Sequence, residues 1–359
     1  MLIIDAHLDL AWNALPGNRD LTQSVYTLRT QEKTPGPGRG QGTVALPELQ
    51  RGRVAICFAT LFARSSGQPV PHADYGSAMQ AYGAAQGQLA YYRALERAGC
   101  VRIISDLAGL EHHWAGWTAW EAAGGETPTA APPVTGFVIS MECADPILDP
   151  DQVAEWWQAG VRLVGPGHYG YGRYTGGTGV EQGLTAAGPA LLASMRQAGM
   201  ILDLTHLSDA AFWQALDIFD GPVIASHSNC RALVPHQRQF SDPQLRAVFK
   251  RDGVVGVAFD NWMLKFGWTL GDPAARVSLG DVVDHIDHLC QLAGNAAQVG
   301  LGTDLDGGFG REQSPADLDT IADLQMLAGL LEQRGYAPAD IANLMHGNWL
   351  RRLRGAWAG

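Results

Sequence analysis

The chain has 359 residues, of which 46% are hydrophobic and 17% are charged, a balance that excludes a disordered protein. Its formal net charge is −11 and it has no cluster of Lys and Arg, which makes nucleic-acid binding unfavourable. Five scattered cysteines, no charged leader and no apolar run of about 18 residues predict a cytoplasmic chain that is not bound to a membrane.

The first predicted strand covers residues 2–10 and contains an imidazole and a carboxylate two positions apart, His7 and Asp9. Residues i and i+2 of a strand point to the same face, so both side chains can reach one point beside the end of the strand. Later strand-like segments run into further polar residues, and we expect these to converge on the same point: Glu142, His168, His206, His227 and Asp304.

Apolar segments separated by helical patterns follow along the rest of the chain. Residues 13–53 are predicted as a long irregular loop, and residues 113–134, rich in Trp and Ala, as a surface insertion. Thr185 is a suitable N-cap for a helix that ends near Gly199. The further strands are predicted at 54–62, 101–105, 136–142, 161–164, 200–205, 222–226, 253–259 and 298–303, with helices at 75–98, 151–159, 209–218, 279–293, 315–334 and 338–354.

About eight strands that alternate with helices predict an α/β fold with a parallel sheet. We expect a single (β/α)8 TIM barrel domain over residues 1–359, with loop insertions and C-terminal helices. Closure is favoured because polar residues at the C-terminal ends of many strands form one ring in a barrel, whereas in an open sheet they lie along an edge. No GxGxxG follows the first strand, which weakens a dinucleotide-binding interpretation.

Imidazoles and carboxylates at strand ends suggest two divalent cations with a shared anionic bridge. Glu142 is the best candidate for the bridge, because none of the lysines (Lys33, Lys250 and Lys265) lies at a strand end where a carbamylated lysine could serve. Each residue also has a simpler reading. The His7–Asp9 pair could be hydrogen-bonded in the core, Glu142 could be paired in a salt bridge, and a histidine ending an apolar strand is often a core residue.

An ordered series of motifs resembles the membrane (renal) dipeptidase family, the M19 peptidases among the amidohydrolase-type barrels. The matching segments are Asp5-Ala-His-Leu-Asp9, Ser140-Met-Glu142, Gly183-Leu-Thr185, Asp203-Leu-Thr-His206, Ser226-His-Ser-Asn229, Gly302-Thr-Asp-Leu-Asp-Gly307 and Gly347-Asn-Trp-Leu-Arg351. They extend over nearly the whole chain. One departure is the segment Gly165-Pro-Gly-His168-Tyr-Gly-Tyr-Gly-Arg-Tyr, whose histidine has flanks that differ from the family pattern and leave the substrate open.

The resemblance implies a role for each candidate residue. It implies two zinc ions, one on His7 and Asp9, the other on His206 and His227, with Glu142 bridging them. A hydroxide between the ions is the implied nucleophile. Asp304 is the implied general base and then acid. His168 is expected to polarise the scissile carbonyl, Arg238 to bind the substrate carboxylate, and Tyr169 to line the substrate pocket.

Simpler roles remain open for these residues as well. Asp304 could be an N-cap or turn residue, with Asp306 supporting the site from behind. His168 could be a loop histidine that only shapes the pocket, and Arg231 lies near enough in sequence to compete with Arg238 as the carboxylate anchor.

The sequence therefore predicts a binuclear zinc dipeptidase that cleaves small dipeptides, including those with a C-terminal D-residue. A homodimer is the assembly that the resemblance implies. Two alternatives stay open: the same metal centre acting on another small amide, N-acyl amino acid or lactone, and a non-catalytic metal- or ligand-binding barrel. A serine hydrolase is disfavoured because the chain has no Gly-x-Ser-x-Gly motif.

Overall fold

Eight parallel strands follow one another in chain order around a nearly closed ring, which confirms the predicted TIM barrel. The computed structural model describes residues 1–67, 70, 73–125 and 131–358. One parallel bridge between Ala225 and Val255 joins the ends of the open path. The strands are β1 (Ile3–Leu8), β2 (Val54–Phe62), β3 (Val101–Ile103), β4 (Thr135–Glu142), β5 (Val161–Gly165), β6 (Ile201–Asp203), β7 (Val223–Ile224), β8 (Val255–Val257) and β9 (Val299–Leu301). β3 stands outside the ring and pairs with β4 alone.

Helices occupy the connections between the strands and pack on the outside of the barrel. The α-helices are Leu10–Ala14, Val25–Gln31, Leu46–Arg51, Ala78–Arg97, Leu107–Ala122, Val153–Gln158, Gly188–Ala198, Asp209–Ile218, Asp242–Lys250, Asn261–Leu264, Leu279–Ala293, Met326–Arg334, Pro338–Ala342 and Asn348–Trp357. Short 3₁₀ turns lie at Pro150–Gln152, Ala274–Arg276, Arg311–Gln313 and Ile321–Gln325, and one π-helical turn at Asn343–Gly347. No helix in the described ranges has both the length and the apolar character to cross a membrane.

The prediction of a surface insertion at residues 113–134 is wrong for the residues of this range that the structure describes. Helix Leu107–Ala122 packs its apolar side inward, with Leu110, Trp114 and Trp117 buried. The Nε2 atom of His113 lies 2.8 Å from the carbonyl oxygen of Ala55 in β2. Residues 126–130 of the predicted insertion lie outside the described residues.

Two other local predictions are also corrected. The predicted loop 13–53 contains helices Val25–Gln31 and Leu46–Arg51. Thr185 does not cap its helix, which begins three residues later at Gly188, because its hydroxyl donates to the Arg173 carbonyl instead. Gly199 ends that helix in the left-handed conformation, as predicted.

The lower end of the barrel is closed by the C-terminal helix Asn348–Trp357. Trp349 is fully buried and packs edge-on against Phe58 from inside the barrel, while its indole N–H donates to the Leu301 carbonyl at 2.9 Å. The approach is so close that a Cβ on Gly300 would lie 2.3 Å from the indole nitrogen, so only glycine fits there. With this end filled, the open end of the barrel is the one at which the strands terminate.

Candidate metal centre

The polar residues at the C-terminal ends of the strands gather at the open end of the barrel. His7 lies within β1 and Asp9 directly after it, and Glu142 is the last residue of β4. The next strands each contribute a residue three positions beyond their ends: His168 after β5, His206 after β6, His227 after β7, Asp260 after β8 and Asp304 after β9.

Glu142 lies at the centre of this cluster, and its two carboxylate oxygens face different imidazoles. Its Oε1 is 3.2 Å from His206 Nε2 and 3.3 Å from His227 Nε2, and those two nitrogens are 3.2 Å apart. Its Oε2 is 3.7 Å from His7 Nε2, which in turn is 3.6 Å from Asp9 Oδ2. Two groups of donor atoms therefore share one carboxylate.

The distances between these donor atoms are those expected for the ligands of two divalent cations. Donor atoms bound at about 2.0–2.2 Å to one tetrahedral zinc lie roughly 3.3–3.6 Å from one another, close to the separations around Glu142. Two buried atoms, His7 Nε2 and Asp9 Oδ1, have no hydrogen-bond partner among the described residues. Unsatisfied buried polar atoms are costly, so their convergence on one space indicates a ligand.

Charge in the cluster is unbalanced when the side chains are considered alone. Burial acts to lower the pKa of His7, but the negative charges of Glu142, Asp9 and Asp304 outweigh it and raise this pKa to about 10. Burial, together with neighbouring carboxylates, raises the pKa of Asp304 to about 8 and that of Glu142 well above its usual value. Cations bound between these carboxylates would relieve the repulsion.

A hydroxyl group lies beside the second ring nitrogen of each candidate histidine ligand. His206 Nδ1 is 3.0 Å from Thr178 Oγ1, and His227 Nδ1 is 2.8 Å from Ser226 Oγ. The contact of His7 Nδ1 with Thr60 Oγ1 is longer, at 3.4 Å. Such partners fix the ring orientation and leave Nε2 to face the centre.

His168 differs from the other three histidines because a cation contacts its outer ring nitrogen. The guanidinium of Arg64 donates to His168 Nδ1 at 2.9 Å. Arginine can only donate, so Nδ1 carries a lone pair and the neutral ring has its proton on Nε2. The Nε2–H group faces the cavity, 3.8 Å from Glu142 Oε1. His168 lies close enough to Glu142 and His206 to complete a group of possible metal ligands, but this tautomer makes its Nε2 a hydrogen-bond donor instead.

Arg238 and Arg231 have different partners, which separates the two candidates for the carboxylate anchor. Arg231 forms a bidentate pair with Asp209 at 2.7 and 2.8 Å. Arg238 is 2% exposed and lines the cavity, yet within the described residues it has no ion pair with a carboxylate. It donates to the His227 carbonyl at 2.9 Å, and its buried positive charge is available to a substrate anion.

Asp304 and Asp306 both adopt positive φ angles, of 58° and 64°, in the turn after β9. Asp304 lies 3.7 Å from His7 Nε2 and lines the cavity. Asp306 instead accepts hydrogen bonds from Arg19 and from Thr43. These bonds hold the turn after β9 in place. The strained backbone thus turns one carboxylate toward the centre and the other away from it.

The cavity above the cluster has a volume of about 500 Å³. Tyr169 lines it and contacts the rings of His168 and His206 edge-on. Sequence reasoning missed two charged residues of its wall, Arg64 and Asp260. Each follows a strand end by two or three positions, so the rule that found His168 and Asp304 could have found them.

Comparisons with known proteins agree with this architecture. A family model described as membrane dipeptidase (peptidase family M19) matches residues 1–357. An uncharacterised protein in the pqqA 5′ region of Klebsiella pneumoniae is 35% identical over 56% of this chain and 74% of its own length. Dipeptidase aclJ of Aspergillus oryzae is 34% identical over 55% of this chain, but the match spans less than half of that protein, 45%.

Solved structures share the whole fold. The dipeptidase AC, a metallopeptidase, superposes with a TM-score of 0.77 at 24% identity, covering 100% of this chain and 99% of the other. A metallopeptidase from Rhodobacter sphaeroides, liganded with a phosphinate mimic of the dipeptide L-Ala-D-Ala, gives a TM-score of 0.72 at 23% identity over 99% of both chains.

Proposed function

This chain belongs to the membrane dipeptidase family, peptidase family M19, and on that premise we propose that it hydrolyses the amide bond of small dipeptides with two zinc ions. By family it is a metallo-dipeptidase. The number and identity of the ions, the substrates and the roles of individual residues are our proposal. The observation that supports it best is the placement of the two Glu142 oxygens against separate groups of donor atoms.

The proposed ligands form two sets that meet at Glu142. His7 and Asp9 would hold one ion, His206 and His227 the other, and Glu142 would bridge them. When bound, the ions would polarise the scissile carbonyl and lower the pKa of a coordinated water.

The remaining side chains of the cavity act on the substrate itself. Arg238 pairs with the terminal carboxylate and orients the dipeptide, and Tyr169 packs beside it. His168 donates its Nε2–H to the carbonyl oxygen as negative charge develops there, a contribution typically worth about 10²–10³ in rate. Asp304 removes a proton from the attacking water and delivers it to the leaving nitrogen.

The test combines metal analysis with hydrolysis. We expect close to two zinc ions per chain after loading and dialysis, and turnover of L-Ala-D-Ala, the dipeptide mimicked in the Rhodobacter structure. Asp304→Asn should lose turnover and keep the metal, whereas Asp220→Asn, at an exposed site, should match the parent.

Two other results would redirect the proposal. Fewer than one ion per chain, with no dipeptide cleaved after zinc is added, would refute it. Equal or faster hydrolysis of N-acetyl-D-Ala, which lacks a free amine, would instead assign the centre to N-acyl amino acids.

A further inference from the structure

Asp260 is a buried carboxylate in the cavity wall that the proposed chemistry does not use. It follows β8 and begins the short helix Asn261–Leu264, where its side chain accepts from the Trp262 amide. Both of its oxygens also accept from the Gln313 side-chain amide, at 2.8 and 2.9 Å. These bonds hold the carboxylate in one place and leave lone pairs available.

Among the residues that the structure describes, the charge of Asp260 has no close counterpart. Within the described residues no Lys, Arg or His lies within ion-pair distance of it, and it belongs to none of the groups of candidate metal ligands. Its residue is 7% exposed. Burial raises the pKa of Asp260 to about 7, against hydrogen bonds and the charge of Arg238, which lower it. A cationic group in the cavity would compensate this buried charge.

The surroundings of Asp260 indicate which end of a substrate it meets. Asp260 lines the same cavity as Asp304, which we assign to the leaving nitrogen, and as Arg238, which we assign to the terminal carboxylate. Trp262 and Met263, the residues that follow it closely in sequence, line the same wall and offer apolar surface to an aliphatic chain.

We propose that Asp260 selects dipeptides whose C-terminal residue has a cationic side chain, such as lysine or ornithine. The aliphatic part of that side chain packs along Trp262 and Met263, and its ammonium group pairs with Asp260. The inference rests on the proposed function, since it assumes that Arg238 binds the carboxylate of the same residue.

The first experiment uses the zinc-loaded parent protein and substrates that differ only in charge. Values of kcat/KM are measured for Ala-Lys, Ala-norleucine and Ala-Glu, with the second residue in the L and the D form. A charge-assisted contact predicts a preference for lysine over norleucine of about 10- to 100-fold, with glutamate poorest. A parent that cleaves norleucine or glutamate dipeptides as well as lysine ones overturns this inference but leaves the proposed function standing; no hydrolysis of any dipeptide overturns both.

The second experiment removes the charge. Asp260→Asn keeps the size of the side chain and an acceptor for Gln313, and we expect the lysine-to-norleucine ratio to fall to near 1. Asp106→Asn is the matched control, because Asp106 also caps a helix but lies outside this cavity; its ratio should equal the parent's. An Asp260→Asn protein in which both substrates lose activity equally, so that the ratio is unchanged, would overturn the assignment.

Discussion

Replacing Arg64 with methionine tests whether this residue acts by orienting His168. The substitution removes the donor to His168 Nδ1, which is the contact that selects the tautomer within the described residues. It also releases Asp74, whose carboxylate lies 3.1 Å from Arg64 Nε and still accepts from the Ser66 amide at 2.9 Å. The backbone around Ser66 therefore keeps its hydrogen bond to Asp74 after the substitution.

The expected loss follows from the contact that is removed. A hydrogen bond to a charged group is worth about 1.5–3 kcal/mol, which corresponds to roughly 10- to 150-fold in rate at 1.4 kcal/mol per factor of ten. Without Arg64 the ring can populate the tautomer with its proton on Nδ1, which presents a lone pair to the substrate oxygen. We expect kcat to fall within this range while KM changes little, because the contact matters most as charge develops.

The assay is a double-mutant cycle on kcat/KM with L-Ala-D-Ala, using the parent, Arg64→Met, His168→Ala and the combination. If Arg64 works through His168, adding Arg64→Met to His168→Ala costs nothing further. Metal content and melting temperature are measured for all four proteins, so that loss of zinc or of folding is recognised.

Additive losses would refute this reasoning, because they would mean that Arg64 contacts the substrate or the fold independently of His168. Arg173→Met serves as the control, since Arg173 lies in the loop after β5 that contains His168 but donates to the Leu148 carbonyl. Its kcat should equal that of the parent.

Three further predictions concern the metal ligands and the buried core. Glu142→Gln should retain less than half of the parent's zinc by elemental analysis after dialysis, because an amide cannot bridge two cations; full retention would contradict the bridge. Tyr92→Phe removes a hydroxyl that accepts from Ala11 N at 2.9 Å and donates to Thr60 O at 2.7 Å, so the free energy of unfolding should fall by about 1–3 kcal/mol in urea titrations; a change below about 0.5 kcal/mol would exclude this. Burial lowers the pKa of His285 from 6.5 to about 4, so protonation favours the unfolded state, and its contribution to stability is lost as the pH falls from 6.5 to 4, by roughly 3 kcal/mol. In His285→Asn this part of the pH dependence should disappear, and an unchanged slope would rule out His285 as its source.

Much of the candidate metal centre could be predicted because the proposed ligands obey a rule of local sequence. An imidazole or carboxylate that ends an apolar strand is conspicuous, and barrel closure brings such residues together. Arg64 and Asp260 obey the same positional rule. Their importance depends on contacts with residues distant in sequence, His168 and Gln313, which strand patterns do not reveal.

The errors in the fold have a similar origin. Composition suggested that the Trp-rich segment after residue 113 was exposed, although Leu110, Trp114 and Trp117 have the spacing of one helical face, which the structure buries. The two helices within residues 13–53 are only seven and six residues long, too short for periodicity to distinguish them from loop. Thr185 does not cap the helix because its hydroxyl forms a tertiary hydrogen bond with the Arg173 carbonyl, which sequence spacing cannot anticipate.

β1 is flanked by β2 on one side and by β9 on the other, so residues near Asp5 pair with residues near Leu301, far along the chain. Asp5 accepts from the Thr303 amide at 2.9 Å and from its hydroxyl at 2.6 Å, which fastens β1 to the turn after β9. A ribosome must therefore translate through residue 303 before the barrel can shut. A prematurely terminated product that lacks β9 would leave this edge of β1 without its partner strand.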